Sequence, residues 1–280
     1  MSTPIADADF QYIRDFVRQQ AAIVLEEGKG YLVESRLLPV ARRNGLGSLS
    51  ELVAQMRAQT MNDLHWGVVE AMTTNETYFF RDVHPFELLW KTVLPEVIKR
   101  RATERQIDIW CAAASSGQES YTILMTLREH FPELATWKIN LIASDISKEM
   151  IERCREGCYS QLEVNRGLPA PLLVKYFSKI GTEWKIKDEL RSMLDLRQIN
   201  LAKQWPLLPP MDIIFIRNVL IYFDLETKKS IMTKIRKLLK PEGYLFLGGA
   251  ETTFNVDESY KRTQVEKSAY YQLSAAEEKQ

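Results

Sequence analysis

Ile107-Asp108-Ile109-Trp110-Cys111-Ala112-Ala113-Ala114-Ser115-Ser116-Gly117 reads as a buried strand, Ile107 to Ala114, that runs into a turn of small residues. From Gln118 to His130 the pattern is helical, with Tyr121, Leu124 and Leu127 on one side. In an open α/β sheet, ligands bind outside the carboxyl ends of the strands, at the switch point. Small side chains there let a ligand approach the backbone closely. The turn lacks Gly-x-Gly-x-x-Gly, so a pyrophosphate-holding loop, and a nicotinamide dinucleotide with it, is not expected. A phosphate-free nucleoside fits better. Asp145 follows the next strand, Leu141-Ile142-Ala143-Ser144, where an acid can accept hydrogen bonds from both ribose hydroxyls. Two plainer readings stand beside this one. Asp145 is also a fit N-cap for a helix from Ile146 onward, and the small turn also suits close helix–strand packing.

Outward from that stretch the texture alternates. Strands are expected at Asn140–Ser144, Leu194–Asn200 and Met211–Ile216, with helices at Gln118–His130 and Lys148–Arg155. Asp224 caps a further helix with Ile231, Ile235 and Leu238 inward. Pro241-Glu242-Gly243 then turns the chain into a strand Tyr244–Gly248, and Ser268–Leu273 is a last strand. These two, with no helix between them, would form a terminal hairpin. Strand–helix alternation with continuous apolar strands argues a mostly parallel sheet covered on both faces. Between Pro169 and Leu194, Trp184-Lys185-Ile186-Lys187 alternates apolar and polar residues, so a small antiparallel β-insertion is expected. The polar tail after Leu273 is expected to be disordered.

The first part is helical throughout. Phe10, Ile13, Val17 and Ala21 recur at helical spacing, and Asn44-Gly45 stops a helix in which Pro39 should make a kink or a split. Ser48 to Glu51 reads as a capping box opening a helix through Met56. Thr73 to Asp82 breaks the pattern, and Pro85 opens another helix that ends near Pro95 or in the basic run Lys99 to Arg101.

The composition excludes several classes. The formal net charge is zero, so bulk electrostatics point to neither nucleic acid nor membrane. No signal-peptide pattern opens the chain, and no apolar run approaches the roughly 20 residues that span a bilayer. Cys111, Cys154 and Cys158 fit a reducing cytoplasm, and Cys154 and Cys158, though able to share a helical face, lack the His partners of a metal site. No metal is expected. His65, His84 and His130 are isolated and receive no catalytic role.

Several stretches occur in order: Thr73-Thr74-Asn75-Glu76-Thr77-Tyr78-Phe79-Phe80-Arg81, Trp110 to Glu119, Ala143-Ser144-Asp145-Ile146, Ile216-Arg217-Asn218-Val219-Leu220-Ile221-Tyr222-Phe223, and Leu239-Lys240-Pro241-Glu242-Gly243-Tyr244-Leu245-Phe246. Together they resemble the CheR-type chemotaxis-receptor glutamate O-methyltransferases, from about Phe10 to Leu273. The resemblance implies an α/β class I (Rossmann-like) S-adenosylmethionine methyltransferase sheet, with a small all-α N-terminal domain and a small antiparallel β-insertion. The corresponding boundaries are a receptor-recognition domain at 1–72, an interdomain linker at 73–84 that contributes to the cofactor site, and the methyltransferase domain at 85–280, its insertion at about 169–193. The implied cofactor is S-adenosyl-L-methionine, leaving S-adenosyl-L-homocysteine. Asn75, Thr77 and Arg81 match cofactor-contacting positions on the linker, and Glu119 and Asp145 match the acidic contacts. Asn200 and Leu201 match the adenine-side pair, while Arg217, Asn218 and Tyr222 match active-site positions, Arg217 and Asn218 also touching the cofactor. Ala113, in the small turn, is a further candidate contact. One departure is Gln118-Glu119-Ser120, where the family commonly has two acids and a proline.

The implied reaction moves a methyl group in line from a sulfonium to a glutamate carboxylate. A glutamate with a pKa of about 4.3 is already ionised, so no general base is needed. Charge disappears toward the transition state, so alignment and exclusion of water help more than stabilising either charge. Arg81 and Arg217 are candidate catalytic residues as planar donors that can fix a carboxylate, with Tyr222 as a hydrogen-bond donor or a wall of the methyl channel. Either arginine could instead hold the cofactor's own carboxylate, and Arg217 and Tyr222 also suit structural roles. Lys29, Arg36, Arg42 and Arg43 make a basic stretch against Glu34 alone, with Arg36 and Arg43 on one helical face. That face is expected to dock the acidic cytoplasmic helices of a receptor; the plainer reading is an ordinary solvated face. Some family members bind a receptor's C-terminal pentapeptide by strand addition to a Gly-x-Gly element in the insertion. Phe177 to Lys185 is short and lacks it, so no pentapeptide tethering is expected. A monomer is expected, with no nucleic-acid partner and no membrane insertion. Two alternatives remain: a methyltransferase for another protein or a small-molecule carboxylate, and a non-catalytic cofactor sensor. Leu208-Pro209-Pro210-Met211 does not supply the Asn/Asp-Pro-Pro-aromatic motif of amino-group methylation.

Overall fold

A computed structural model describes residues 5–274, and the tail from residue 275 lies outside them. The chain divides into two compact units. One contains the residues up to Thr74 with Asn200–Gln204 and Tyr222–Thr227; the other contains Asn75–Ile199, Trp205–Ile221 and the chain from Lys228.

The first unit is built on α1 (Asp7–Ala21), α2 (Gly30–Arg43), α3 (Leu49–Ala58) and α4 (Asp63–Met72). Phe10, Ile13, Val17 and Ala21 form the buried stripe of α1, and they meet Val33, Leu37, Val40, Leu52, Val53 and Val68. Of the expected kink or split at Pro39, the split does not occur: α2 runs unbroken from Gly30 to Arg43. A proline's fixed φ is helical, and buried Leu37, Val40 and Ala41 on either side of it hold both halves against the same core. Asn44 caps α2, and Gly45 follows at φ +75°. Ser48 Oγ accepts the Glu51 amide, but the Glu51 carboxylate takes the amide of Gly47, so the capping box is shifted by one residue on its return arm.

The two later segments of this unit are tied to α1 and the chain just after it. Arg18 donates to Asp224 Oδ2 at 3.0 Å, Lys203 Nζ to Gln19 O at 2.7 Å, and Val24 N to Tyr222 O at 3.2 Å. These long-range ties put Asn200–Gln204 and Tyr222–Thr227 with the helices, where a boundary drawn at residue 72 leaves them out.

The second unit begins with α5 (His84–Leu88), a π-helical turn Leu89–Val93 and α6 (Leu94–Arg100) as one continuous run. Then follow β1 (Gln106–Ala112), α7 (Gln118–His130), β2 (Lys138–Asp145) and α8 (Lys148–Glu156). An insertion of β3 (Cys158–Ser160), α9 (Gln161–Asn165), α10 (Ala170–Tyr176), β4 (Phe177–Ile180), β5 (Glu183–Ile186) and α11 (Asp188–Arg191) comes next. The chain closes with β6 (Leu194–Gln198), β7 (Met211–Ile216), α12 (Leu225–Leu238), β8 (Leu239–Leu247), β9 (Tyr260–Val265) and β10 (Ser268–Leu273). The main sheet has the order β6-β2-β1-β7-β8-β10-β9, parallel from β6 to β8 and antiparallel beyond. A separate antiparallel sheet, β3-β5-β4, forms the insertion.

Four expectations need correction. The insertion's sheet starts at Cys158, before residue 169, because β3 pairs with the Trp184 strand. Gly157 ends α8 in the left-handed region, so Cys154 and Cys158 lie on different elements and share no helical face. The terminal hairpin is β9–β10, and β10 also pairs with β8. Tyr260–Val265 is half-exposed and carries Lys261 and Arg262, which hid its strand character. Pro241-Glu242-Gly243 lies within β8, where the partners jump from Met211–Leu239 to Ile213–Tyr244. The expected turn is thus a bulge.

The core sits between the sheet and the helices. All six residues of β7 are buried, and Phe215 stacks between Phe86 and Phe246 at centroid separations of 6.2 and 4.4 Å. Each such ring contributes about 2–3 kcal/mol by burial. At the amino ends of β1 and β7, Lys240 Nζ bridges Asp108 at 2.9 Å and Asp212 at 2.7 Å, and Arg101 Nε reaches Asp212 at 2.7 Å. This buried charge network fixes the end of the sheet away from the small-residue turn, leaving the carboxyl ends for chemistry.

Candidate active site

The turn after β1 is strained where it must meet a ligand. Ala113 and Ser115 have φ of +54° and +50°, and Gly117 has φ of +95°. A side chain on Gly117 would put its Cβ 2.3 Å from Cys154 Sγ, so only glycine lets α7 start against α8. Six of the ten non-glycine residues with positive φ among the described residues are Phe80, Asp82, Val83, Ala113, Ser115 and Asn218. They fall on three segments: the loop after Asn75, the β1 turn and the end of β7. Such residues cost about 1–3 kcal/mol each and persist where surrounding structure over-determines them, most often at functional sites.

Hydrogen bonds join the β1 turn to β2 and to the loop. The Ser115 amide donates to Asp145 Oδ2 at 2.9 Å, and the Ser147 amide donates to Asp145 Oδ1 at 2.9 Å. The α8 N-cap is Ser147, so Asp145 organises the turn from outside the helix. Asp145 thus takes one backbone amide on each carboxylate oxygen. The Ser115 hydroxyl donates to Asn75 O at 2.8 Å, and the Phe80 amide donates to Thr122 Oγ1 at 3.1 Å. From Cys111 to Ser120 every residue is buried except Ala113, which is half-buried, so the turn is open at that residue.

Arg217 sits at the end of β7 with its side chain only 1% exposed. Its guanidinium holds Glu119 Oε2 at 2.6 Å, Asp82 Oδ2 at 2.7 Å and Arg81 O at 3.2 Å. The structure therefore pairs two residues that the sequence assigned separate tasks. Arg217 Nε has no hydrogen-bond partner, a buried donor left over beside the pair. The other oxygen of Glu119 accepts from Cys111 Sγ at 3.3 Å, and burial first, then the Glu119 charge, pushes that thiol well up. Cys111 is therefore a neutral donor and no nucleophile. Arg81 is half-buried, donates to Glu76 O at 2.8 Å and lies 5.6 Å from the Tyr78 ring centroid. Thr77 is half-buried on the same loop.

Asn75, Thr77, Arg81, Ala113, Glu119, Asp145, Arg217 and Asn218 thus belong to one unit, at its β-strand carboxyl ends and the loop bonded to them. Asn200, Leu201 and Tyr222 belong to the helical unit. Asn200 Nδ2 donates to Gln20 O at 2.7 Å, and its Oδ1 accepts the Ala202 amide at 3.0 Å. Asp82 and Glu251 went unread in the sequence. Asp82 had a visible signal, directly after Arg81 at the end of the loop motif. Glu251 had only its place after a buried strand and two glycines.

Residues 75–269 match the family model described as "CheR methyltransferase, SAM binding domain", and residues 8–73 match "CheR methyltransferase, all-alpha domain". The chain belongs to the CheR methyltransferase family. It is 41% identical over 276 residues to a chemotaxis protein methyltransferase, Cher2, of Pseudomonas putida, covering 97% of this chain and 99% of that one. With chemotaxis protein methyltransferase 1 of Pseudomonas aeruginosa it shares 41% identity over 270 residues, 95% and 98% of the two chains. A chemotaxis protein methyltransferase of Vibrio parahaemolyticus is 38% identical over 273 residues, 96% and 98%. The family's cofactor is S-adenosylmethionine, and the sheet is that of class I methyltransferases. The residues fit it. Asp145 ends β2 and Glu119 stands in the first turn of α7, the turn opens at Ala113, and Arg217 Nε is a buried donor without a partner. No described helix is long and apolar enough to cross a membrane.

Proposed function

We propose that this chain transfers a methyl group from S-adenosylmethionine to glutamate carboxylates of chemotaxis receptors, forming methyl esters in sensory adaptation. The observation that carries the reading is the seating of the loop Asn75–Asp82. It is hydrogen-bonded to the β1 turn through Ser115, to α7 through Thr122 and to the end of β7 through Arg217. The names of the relatives place them in chemotaxis, which supports a receptor as the substrate. The sulfonium supplies the methyl group: its S–C bond breaks as a C–O bond forms to the carboxylate, leaving a thioether and an ester.

The protein's part is alignment. Asp145 is assigned to the ribose hydroxyls, and Asn75, Thr77, Ala113 and Asn218 to the rest of the cofactor. Arg217, fixed between Glu119 and Asp82, holds the strand end rigid and keeps a buried Nε without a partner. The orienting of the substrate carboxylate is assigned to Arg81, whose guanidinium donates to Glu76 O and lies near the Tyr78 ring. Arg81→Ala is expected to lower turnover on receptor membranes while leaving S-adenosylhomocysteine binding nearly unchanged. Wild-type turnover in that variant would reject the assignment.

The receptor-docking face is proposed at Arg42 and Arg43, both exposed at the end of α2. Arg36, the third residue of the proposed face, also has a structural task. Its guanidinium donates to Met72 O, Thr73 O and Thr74 Oγ1, at 2.9, 2.9 and 3.1 Å, so it closes the carboxyl end of α4. Independence from a receptor pentapeptide is supported by the insertion's hairpin, where only Gly181 and Thr182 join β4 to β5. Calorimetric titration with the pentapeptide is expected to show no binding.

A further inference from the structure

The end of β7 is held by a residue with no assigned role. Glu251 is 8% exposed, and its carboxylate collects four backbone amides. Oε1 accepts from Val219 at 2.9 Å and Leu220 at 2.7 Å, and Oε2 accepts from Asn218 at 2.8 Å and Gly248 at 2.7 Å. The carboxylate is itself fixed by a turn in which the Glu251 amide donates to Gly248 O at 2.9 Å. Three of these amides, those of Asn218, Val219 and Leu220, follow Arg217 directly, beyond the end of β7 at Ile216, and the fourth, of Gly248, follows β8. Asn218 lies at φ +57°, a conformation that asparagine tolerates and most residues resist. Four charge-assisted hydrogen bonds offset that strain. The fit is close on the other side as well. A Cβ on Gly248 would fall 2.7 Å from Glu251 Oε2, 2.8 Å from Asn218 N and 2.8 Å from Asn218 Nδ2.

We propose that Glu251 is a positioning residue for the cofactor site. Its carboxylate clamps the backbone of Asn218–Leu220 so that Arg217 and Asn218 stand in the geometry that receives S-adenosylmethionine. This rests on the assignment of Arg217 and Asn218 to the cofactor's wall. An amide cannot replace the carboxylate, because its NH2 would face two amide donors instead of accepting from them. An aspartate keeps the acceptors with a shorter reach.

The test is calorimetric titration of S-adenosylhomocysteine into the full chain, well below each variant's unfolding transition, together with amide hydrogen exchange. Glu251→Gln is expected to weaken binding roughly 10- to 100-fold, the worth of one to two charged hydrogen bonds. It should also speed exchange at Asn218, Val219 and Leu220 while the β1 amides stay protected. Glu251→Asp should recover part of the affinity. Gly248→Ala, which crowds the clamp and keeps the carboxylate, should weaken binding roughly tenfold. Binding of S-adenosylhomocysteine by Glu251→Gln within about twofold of wild type would overturn the proposal, as would unchanged exchange at the three amides. If Glu251→Gln does not fold, wild-type affinity in Gly248→Ala overturns it instead. A wild-type chain that binds S-adenosylhomocysteine and labels no receptor would defeat the substrate assignment alone, since the clamp is read from binding and exchange.

Discussion

Replacing Arg217 by methionine removes the cation between Glu119 and Asp82 while keeping most of the side-chain volume. The two carboxylates respond differently, because their side chains are 11% and 47% exposed. Asp82 turns to water, and its pairing is worth under about 1 kcal/mol. Glu119 is left as a buried carboxylate without its cation, which costs about 3–5 kcal/mol. The summed loss is about 4 kcal/mol. At about 2–4 °C per kcal/mol for a unit of this size, the melting temperature should fall by about 8–16 °C. Thermal and urea unfolding followed by tryptophan fluorescence read this directly. Adding Glu119→Gln to Arg217→Met should restore about half of the loss, since a neutral amide tolerates the same burial. Asp82→Asn alone should cost under about 1 kcal/mol. Equal, small losses for Arg217→Met and Asp82→Asn would refute the reasoning. So would a double variant whose loss is the sum of the two single losses, because the contact would then carry no coupling.

The two kinds of arginine on α2 should separate cleanly. Arg36→Ala breaks three hydrogen bonds to the end of α4 and should cost about 2 kcal/mol of stability in unfolding experiments, whereas Arg42→Glu with Arg43→Glu should leave stability unchanged. The charge reversal should instead lower the methylation rate at low salt, and an unchanged rate would reject the docking face. Gly117→Ala forces a side chain into a positive φ and onto Cys154, and should cost about 3 kcal/mol with loss of S-adenosylhomocysteine affinity. Asp108 predicts a pH dependence. Burial pushes its carboxyl up, but hydrogen bonds from Asn140, Lys240 and Gln106 and the Lys240 charge outweigh it, so the folded state holds it below 3.8. Its stabilising contribution is therefore present above the unfolded value and is lost as pH falls through the lowered folded one. Asp108→Asn should be about 3 kcal/mol less stable at neutral pH, and the gap from wild type should narrow below about pH 4 in urea titrations.

Much of the fold was legible because the decisive stretches are local. Met211–Ile216 and Gln118–His130 coincide with β7 and α7 residue for residue, since an uninterrupted apolar run and a 3.6-residue stripe carry their own boundaries. What stayed hidden depends on partners far along the chain. β9 is a polar strand whose only signal is its pairing with β10. β3 is three residues long and exists because Trp184 lies opposite Tyr159. The helical unit's claim on Asn200 and Tyr222 rests on contacts to α1 and the segment after it. The site shows the same division. Its residue types and order were visible as motifs, but the division of labour between the two arginines was not. Only the structure shows Arg217 held by Glu119 and Asp82 while Arg81 donates to the Glu76 carbonyl. Arg36 likewise looked like a surface cation until its acceptors were seen.

The central claim is that the carboxyl end of this sheet methylates carboxylates. Its most direct test uses S-adenosylmethionine labelled in the methyl group, incubated with the protein and membranes bearing chemotaxis receptors, followed by brief treatment of the receptor band with alkali. The account predicts label on the receptor that alkali releases as volatile methanol, as a glutamate methyl ester must. Label that survives alkali, or a receptor band without label beside a chain that binds S-adenosylhomocysteine, would contradict it.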